Sequence, residues 1–280
     1  MKNNLTNNKM RTSITVVLIS VFLFFSSANQ AQEVPKIPFY LPIHSSQLND
    51  TVVKLNDELL ETGFNFEIKH SDLWQQYQQD IRSGKPGIYF APPHFTAWLI
   101  QQKGFIPLLR VKDKLRYVIA SKTNDQDIFE ISDLVDRKIC TQNPLNLDYL
   151  LIKYAFRRNI QTADTHLVNS VFDEINSTDT PCSAFSISNH IFEQQELKNS
   201  GKYIRLAQSN EWNNYAFTMH PSLTEEFLAP LLQLLNEQKT QEILAPLLTL
   251  TGQEALLIDA TSNDYPIEYL EELEEYWGEE

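Results

Sequence analysis

Glycine is scarce in this chain: seven residues in 280, with none grouped into a loop that could cradle a phosphate. No G-x-S-x-G elbow and no H-E-x-x-H helix occurs either, so the sequence carries no local signature of a serine hydrolase, a zinc protease or a P-loop enzyme. Cysteine is limited to Cys140 and Cys182, and the six histidines are scattered. Two thiols without histidine neighbours are too few for a structural zinc site. In an exported protein the first reading of such a pair is one disulfide. A free-thiol reading stays open, because Cys140 closes the strand-like RKICT and Cys182 precedes the strand-like SAFSIS, so both can lie in one sheet without their sulfurs meeting. Positive charge is also in deficit, with 23 Lys and Arg against 36 Asp and Glu and a formal charge of −13. Such a surface repels nucleic acid and anionic lipid. It remains compatible with a small anion held by clustered backbone N–H groups.

Only one long apolar run exists, and it lies at the N-terminus. Lys2, Lys9 and Arg11 precede twelve residues from Ile14 to Phe25, and small residues follow at Ser26, Ser27, Ala28 and Ala31. That order reads as an export signal over residues 1–31, cleaved after Ala28 or Ala31. Twelve residues fall short of the roughly 20 that span a bilayer. Removing the three basic residues takes the formal charge from −13 to −16, since no Asp or Glu leaves with them. About 250 residues remain, enough for one large domain or two lobes. A hydrophobic fraction of 42% and an aromatic fraction of 11% supply the core.

The mature chain alternates strand and helix. IPFYLPIHSS opens it, and Leu48, Val52, Leu55 and Leu59 then follow helical spacing up to Gly63. FNFEIKH alternates like a strand. Ser71 or Asp72 can cap a helix with Trp74, Tyr77 and Ile81 on one face, ended by Gly84. GIYFAPPHFTAW, Gly87 to Trp98, is the sharpest local signal: a short apolar strand stops at a Pro-Pro turn and a helix from His94 to Gln102 begins. Strands alternating with helices in this way are parallel. Extended runs at Phe105 to Val111 and Leu115 to Ala120 precede a second round. It comprises a short helix near Ile131 to Val135, RKICT, a helix from Leu147 to Phe156, THLV, a helix from Ser170 to Ile175, and SAFSIS. Two α/β lobes are therefore expected. IRLAQS and YAFTMH follow, then helices, the last with Ile267, Leu270, Leu273 and Trp277 on one side. LAPLL recurs at Leu228 and Leu244, which marks two neighbouring helices of similar composition, with Pro230 and Pro246 at kinks or helix starts. No low-complexity linker separates the lobes, so the chain is expected to cross between them as paired extended strands.

Open α/β sheets bind ligands beyond the carboxyl ends of their strands. Five such ends carry polar residues: His44, Ser45 and Ser46; His94 and Thr96; Thr141, Gln142 and Asn143; Asn169 and Ser170; and Ser188, Asn189 and His190. Each alone reads first as a helix cap. Their recurrence at strand ends is the signal, because converging helix N-termini favour an anionic or strongly polar guest.

Three stretches carry a resemblance to a known family: FYLPIHSSQLNDTVVKLNDELLETGFNFEIKHS, IRSGKPGIYFAPPHFTAWLIQQKGFIPLLRV, and YVIASKTN with ISDLVDRKICTQNPLNLDYLLIKYAF. In order and spacing they resemble the periplasmic substrate-binding proteins of phosphate, phosphite and phosphonate ABC transporters, of which this chain reads as a divergent member. The resemblance implies an α/β type II periplasmic-binding-protein fold, two α/β lobes joined by a two-strand hinge near Arg116 to Ser121 and Arg205 to Ser209. The lobes would be residues 32–117 plus 208–280, and 118–207. It also implies a soluble, non-enzymatic, monomeric periplasmic protein without a cofactor or metal. Such a protein captures a small polar or anionic solute between its lobes and docks on a membrane permease or, alternatively, on a sensor receptor. The expected ligand contacts are His44, Ser45, His94, Thr96, Thr141, Gln142, Asn143 and Ser170. An exported enzyme using Cys140 as a thiol nucleophile is the third reading.

Overall fold

The computed structural model describes residues 36–41, 49–61, 66–70, 74–125, 127–141, 164–167, 177, 179–198, 201–249 and 255–270. The chain divides into two units, Met1–Pro35 and Lys36–Glu280, and the architecture below is that of the second.

Its first half builds a layered α/β unit. The strands are β1 (Ile37–Leu41), β2 (Phe66–His70), β3 (Ile88–Ala91) and β4 (Ile106–Val111), interleaved with helices α1 (Asn49–Glu61), α2 (Trp74–Ser83) and α3 (Pro93–Lys103). β1 pairs in parallel with both β2 and β3, as the alternation predicts. Successive residues of these strands point to opposite faces and both faces are apolar. Phe39 and Phe90 therefore enter one core with Leu55 of α1, while Tyr40 and Tyr89 enter another with Tyr77, Ile81 and Phe95 of α2 and α3. The Tyr40 and Tyr89 rings stack at 4.3 Å. That stack requires Gly87: a Cβ there would lie 2.7 Å from the Pro38 carbonyl oxygen and 2.8 Å from the Tyr40 ring. Gly104, at φ 71°, ends α3 in the left-handed conformation that glycine favours.

Three later segments complete this sheet. β12 (Ala216–Met219) inserts antiparallel between β3 and β4, and β13 (Leu257–Asp259) covers the free side of β4, giving the order β13-β4-β12-β3-β1-β2. Helices α5 (Thr224–Asn236) and α6 (Gln238–Leu248) pack Leu231, Leu234, Leu235, Leu244, Leu247 and Leu248 onto the Phe39 and Phe90 face. They are the two LAPLL helices, but Pro230 and Pro246 lie inside them rather than at their starts.

The second sheet contains β6 (Tyr117–Lys122), β7 (Lys138–Thr141), β8 (Asp164–Leu167), β9 (Ala184–Ser188) and β10 (Tyr203–Gln208), in the order β10-β6-β9-β7-β8. β7 is parallel to β8 and β9, whereas β6 is antiparallel to β9 and β10. Helix α4 (Asn189–Lys198) follows β9 directly. The short helix expected near Ile131 to Val135 is a 3-10 turn, Ile131–Leu134. Asp133 accepts the backbone N–H groups of Phe129 and Glu130 at 2.8 and 2.9 Å, and these bonds hold its carboxyl below the usual carboxylate range. The helices expected at Leu147 to Phe156 and Ser170 to Ile175 lie outside the described residues. So does the final helix beyond Leu270; its first turn, Ile267–Leu270, is a 3-10 turn.

Two segments cross between the sheets. β5 (Lys114–Leu115) follows β4 and pairs antiparallel with β11 (Trp212–Asn213), which precedes β12. The β5–β11 pair thus sits a few residues outside the expected stretches: Val118 to Ser121 and Ile204 to Gln208 pair with each other as part of the second sheet. The run from Leu115 to Ala120 reads as one strand, but Arg116 interrupts it and its carbonyl accepts the Asn189 N–H at 2.8 Å.

His220, just after β12, supplies a pH-dependent contribution to stability. Its ring meets the edge of Phe105 at 5.1 Å, and its Nδ1 accepts the Ser222 N–H at 3.1 Å. Partial burial lowers its pKa from the ordinary 6.5. A base with a lowered folded pKa stabilises the protein above its unfolded pKa and loses that contribution as pH falls. NMR titration of the His220 ring should give a midpoint below 6.5, with stability declining from pH 6.5 down through that midpoint. A midpoint above 6.5 would reverse the sign.

Candidate functional site

Strand register shows which end of each sheet the chain crosses from. Ala216, three residues past β11, pairs with Ala91 at the carboxyl end of β3. Tyr117, two residues past β5, pairs with Ser188 at the carboxyl end of β9. The carboxyl ends of β3 and β9, and with them the N-termini of α3 and α4, both lie at the crossing. Thr141 ends β7, which runs parallel to β9, and so lies at the same end of the second sheet.

At the β3 end, Pro92 is the N-cap of α3 and Pro93 its first residue. Proline suits that position because its missing N–H would otherwise be one of the unpaired helix-start donors. His94 and Thr96 are both fully buried. The His94 ring lies 4.1 Å from that of Phe95. The Thr96 hydroxyl donates to the Ala91 carbonyl at 2.9 Å, and the Thr96 N–H donates to the Pro92 carbonyl at 2.8 Å. Thr96 therefore ties the first turn of α3 to the end of β3, and its hydroxyl proton is committed. Thr141 is buried. His44, Ser45, Gln142, Asn143 and Ser170 lie outside the described residues.

At the β9 end the structure emphasises residues that the contact set omits. Asn189 donates its side-chain amide to Glu193 at 2.8 Å, and Ser188 Oγ accepts the Ile191 N–H at 3.4 Å. Asn189 Oδ1 and His190 Nδ1 are enclosed, yet have no hydrogen-bond partner among the described residues. Enclosed polar atoms are normally satisfied by protein, water or ligand. The sequence signal for both residues was their place after SAFSIS.

The cysteines are joined. Cys140 and Cys182 form a disulfide with a Cα–Cα distance of 5.6 Å. Pairing of β7 beside β9 sets Cys140 opposite Phe185, which brings the segment entering β9 within reach. The thiol-enzyme reading loses its nucleophile, since neither cysteine is free.

Another concavity, about 480 Å³, lies between α1 and α6 and is lined by Lys54, Asp57, Glu58, Glu61, Lys239 and Glu242, among others. Lys239 pairs there with Glu58, and with Glu61 at 3.3 Å. No strand end contributes to it. Among the described residues no cluster of His, Cys, Asp and Glu could hold a metal ion, and no helix is long and apolar enough to cross a membrane.

Solved structures of other proteins share this fold. XAC2383 from Xanthomonas citri, bound to ATP, is 15% identical, with 87% of this chain and 98% of that chain covered and a TM-score of 0.66. PhnD1 from Prochlorococcus marinus, in complex with methylphosphonate, is 12% identical over 88% of this chain and 98% of its own, with a TM-score of 0.64. A binding protein component of an ABC phosphonate transporter from Pseudomonas aeruginosa is 12% identical over 83% and 84%, with a TM-score of 0.63. At such identities the likeness is one of fold, and the fold is that of the type II periplasmic binding proteins: two α/β lobes joined by two crossing strands. No curated protein sequence matches the chain. Residues 39–260 match the family described as ABC transporter, phosphonate, periplasmic substrate-binding protein, whose members carry solutes and are not enzymes. The chain belongs to that family of periplasmic substrate-binding proteins.

Proposed function

We propose that this protein is exported by the signal at residues 1–31 and works in the periplasm as a soluble monomer, capturing a small polar or anionic solute for an ABC permease. The two lobes of this reading are residues 32–117 plus 208–280, and 118–207. The solute sits between them, at the carboxyl strand ends. The observation that carries the reading is the register just described: β3 and β9 both end at the crossing, each followed by a helix N-terminus. Helix starts aimed at one crevice favour negative charge. An acidic protein binds such a guest through N–H donors and amide groups rather than through net charge.

In this reading His44, Ser45, His94 and Thr96 reach the solute from the larger lobe. Thr141, Gln142, Asn143 and Ser170 reach it from the smaller one, joined by Asn189 and His190. Thr96 contributes only acceptor lone pairs, and the enclosed Asn189 Oδ1 and His190 Nδ1 gain partners when the site fills. Closure follows if the solute binds the closed form better than the open one. Methylphosphonate and ATP, bound in PhnD1 and XAC2383 respectively, set the first probes, with inorganic phosphate beside them. A ligand present at 100 times its Kd stabilises the folded state by about 2.7 kcal/mol. Thermal unfolding of the mature protein with each probe should show a rise in Tm for at least one oxyanion. No rise with any of them, at millimolar concentration, would remove the anionic class.

A further inference from the structure

The two crossing strands are held unequally by the lobes they join. Leu115 is buried in the large core of the first sheet, and Trp212 and Tyr117 pack against that core. A second grip comes from the C-terminal segment after β13. Asn213 N–H donates to the Tyr269 hydroxyl at 3.1 Å, and its side-chain amide donates to the Asp264 carbonyl at 2.5 Å. Tyr265 donates its hydroxyl to the Asn214 carbonyl at 2.7 Å. The Trp212 and Tyr269 rings lie 4.1 Å apart. Asp264 is fixed in turn by a capping box with Thr261, and it faces Arg110 of β4 at 3.5 Å. On the other side of the crossing, Arg116 gives its carbonyl to Asn189 of α4, and Ser209 exchanges bonds with Tyr117 in the second sheet. Between these grips the contacts are exposed: the Arg116–Glu211 ion pair has side chains 39% and 48% accessible.

We infer that the strap from Ala260 to Leu270 clamps β11 to the larger lobe, so that rotation between lobes is confined to Arg116 in one crossing strand and to Asn210 and Glu211 in the other. It rests on the closure reading above, and it makes Asn213 and Tyr269 positioning residues for that motion. Hinge rotation is absorbed by a few residues at element ends, and those with the fewest fixed partners absorb it. The strap removes Trp212, Asn213 and Asn214 from that set. Arg116 is left as the junction whose rotation turns α4, through the bond from Asn189, together with the smaller sheet.

Hydrogen exchange of the ligand-free mature protein tests the assignment without any solute, so failure of every oxyanion to bind would leave this result standing. The amides of Asn213 and Val111, which donate to the Tyr269 hydroxyl and the Tyr215 carbonyl, should exchange at least ten-fold more slowly than those of Arg116, Asn210 and Glu211 once corrected for intrinsic rates. Equal protection along both strands would overturn the inference. Tyr269→Phe keeps the ring against Trp212 and removes the acceptor. It should speed exchange at Asn213 by several-fold to ten-fold while Val118 and Phe217, inside the two sheets, keep their rates. A uniform rise at all four sites, or none at Asn213, would mean that the strap only adds bulk stability. If the variant does not fold, the wild-type comparison decides alone.

Discussion

Phe90→Ala should lower the unfolding free energy by about 3–5 kcal/mol, the range for emptying a large aromatic site in a packed core. Phe90 lies in the short strand β3, between β1 and β12, and is fully buried. Its ring packs 4.6 Å from Phe217 and 5.4 Å from Tyr215. Its carbonyl accepts the Tyr77 hydroxyl at 2.7 Å, so the same residue ties α2 to the opposite face of the sheet. Neighbours in strands cannot collapse into the void without breaking ladder hydrogen bonds, which places the cost toward the upper end. Urea unfolding measures it as a fall in midpoint at unchanged slope. Phe129→Ala is the control: Phe129 is 75% exposed and its loss should stay within about 0.5 kcal/mol of neutral. A cost below about 1.5 kcal/mol at Phe90 would mean that the sheet is not packed as described.

Removing the disulfide should have an effect of similar size by a different route. Cys140 and Cys182 are 42 residues apart, and closing a loop of that length restricts the unfolded chain by about 4 kcal/mol in the chain-entropy model. For a protein of this size that corresponds to a fall in Tm of about 10 °C. The double variant Cys140→Ala with Cys182→Ala is the cleaner test, because it leaves no lone thiol to mispair. The native protein, unfolded without reductant, should titrate as thiol-free. Two reactive thiols, or a double variant with native Tm, would contradict the bond. The closed loop also holds the residues proposed as solute contacts from the smaller lobe, from Thr141 to Ser170.

Much of this architecture was legible because local signals agreed with one another. Tyr77 and Ile81 lie one turn apart and are both buried, and the Pro-Pro turn after β3 starts α3 as the sequence predicts. Pairings between distant segments were not legible. Nothing in AFTM says that it inserts between β3 and β4, or in LID that it borders β4, since those ladders depend on where the chain returns. The same limit explains the cysteines: their meeting depends on β7 lying beside β9, a register that spacing alone leaves open. The crossing came from the resemblance, which placed it only approximately: the β5–β11 pair lies just outside Arg116 and Ser209, whereas Leu115 to Ala120 reads as one apolar run with no mark of the break at Arg116. The grip of Asp264 and Tyr269 on Asn213 joins residues more than fifty positions apart, and it has no sequence signature. At the candidate site, helix starts could be read as such, but Ser and Thr at these positions cap helices as readily as they touch ligands. Thr96 does not cap α3, whose N-cap is Pro92; its hydroxyl donates back to the Ala91 carbonyl at the end of β3, a tie that residue type alone does not announce.

The central claim is that two lobes close on a small solute at their shared strand ends. X-ray scattering of the mature protein, with and without saturating methylphosphonate, phosphate or ATP, tests it most directly. A bound oxyanion should contract the radius of gyration and leave the unfolded fraction unchanged. An oxyanion that binds and stabilises while the radius stays constant would contradict closure between the lobes.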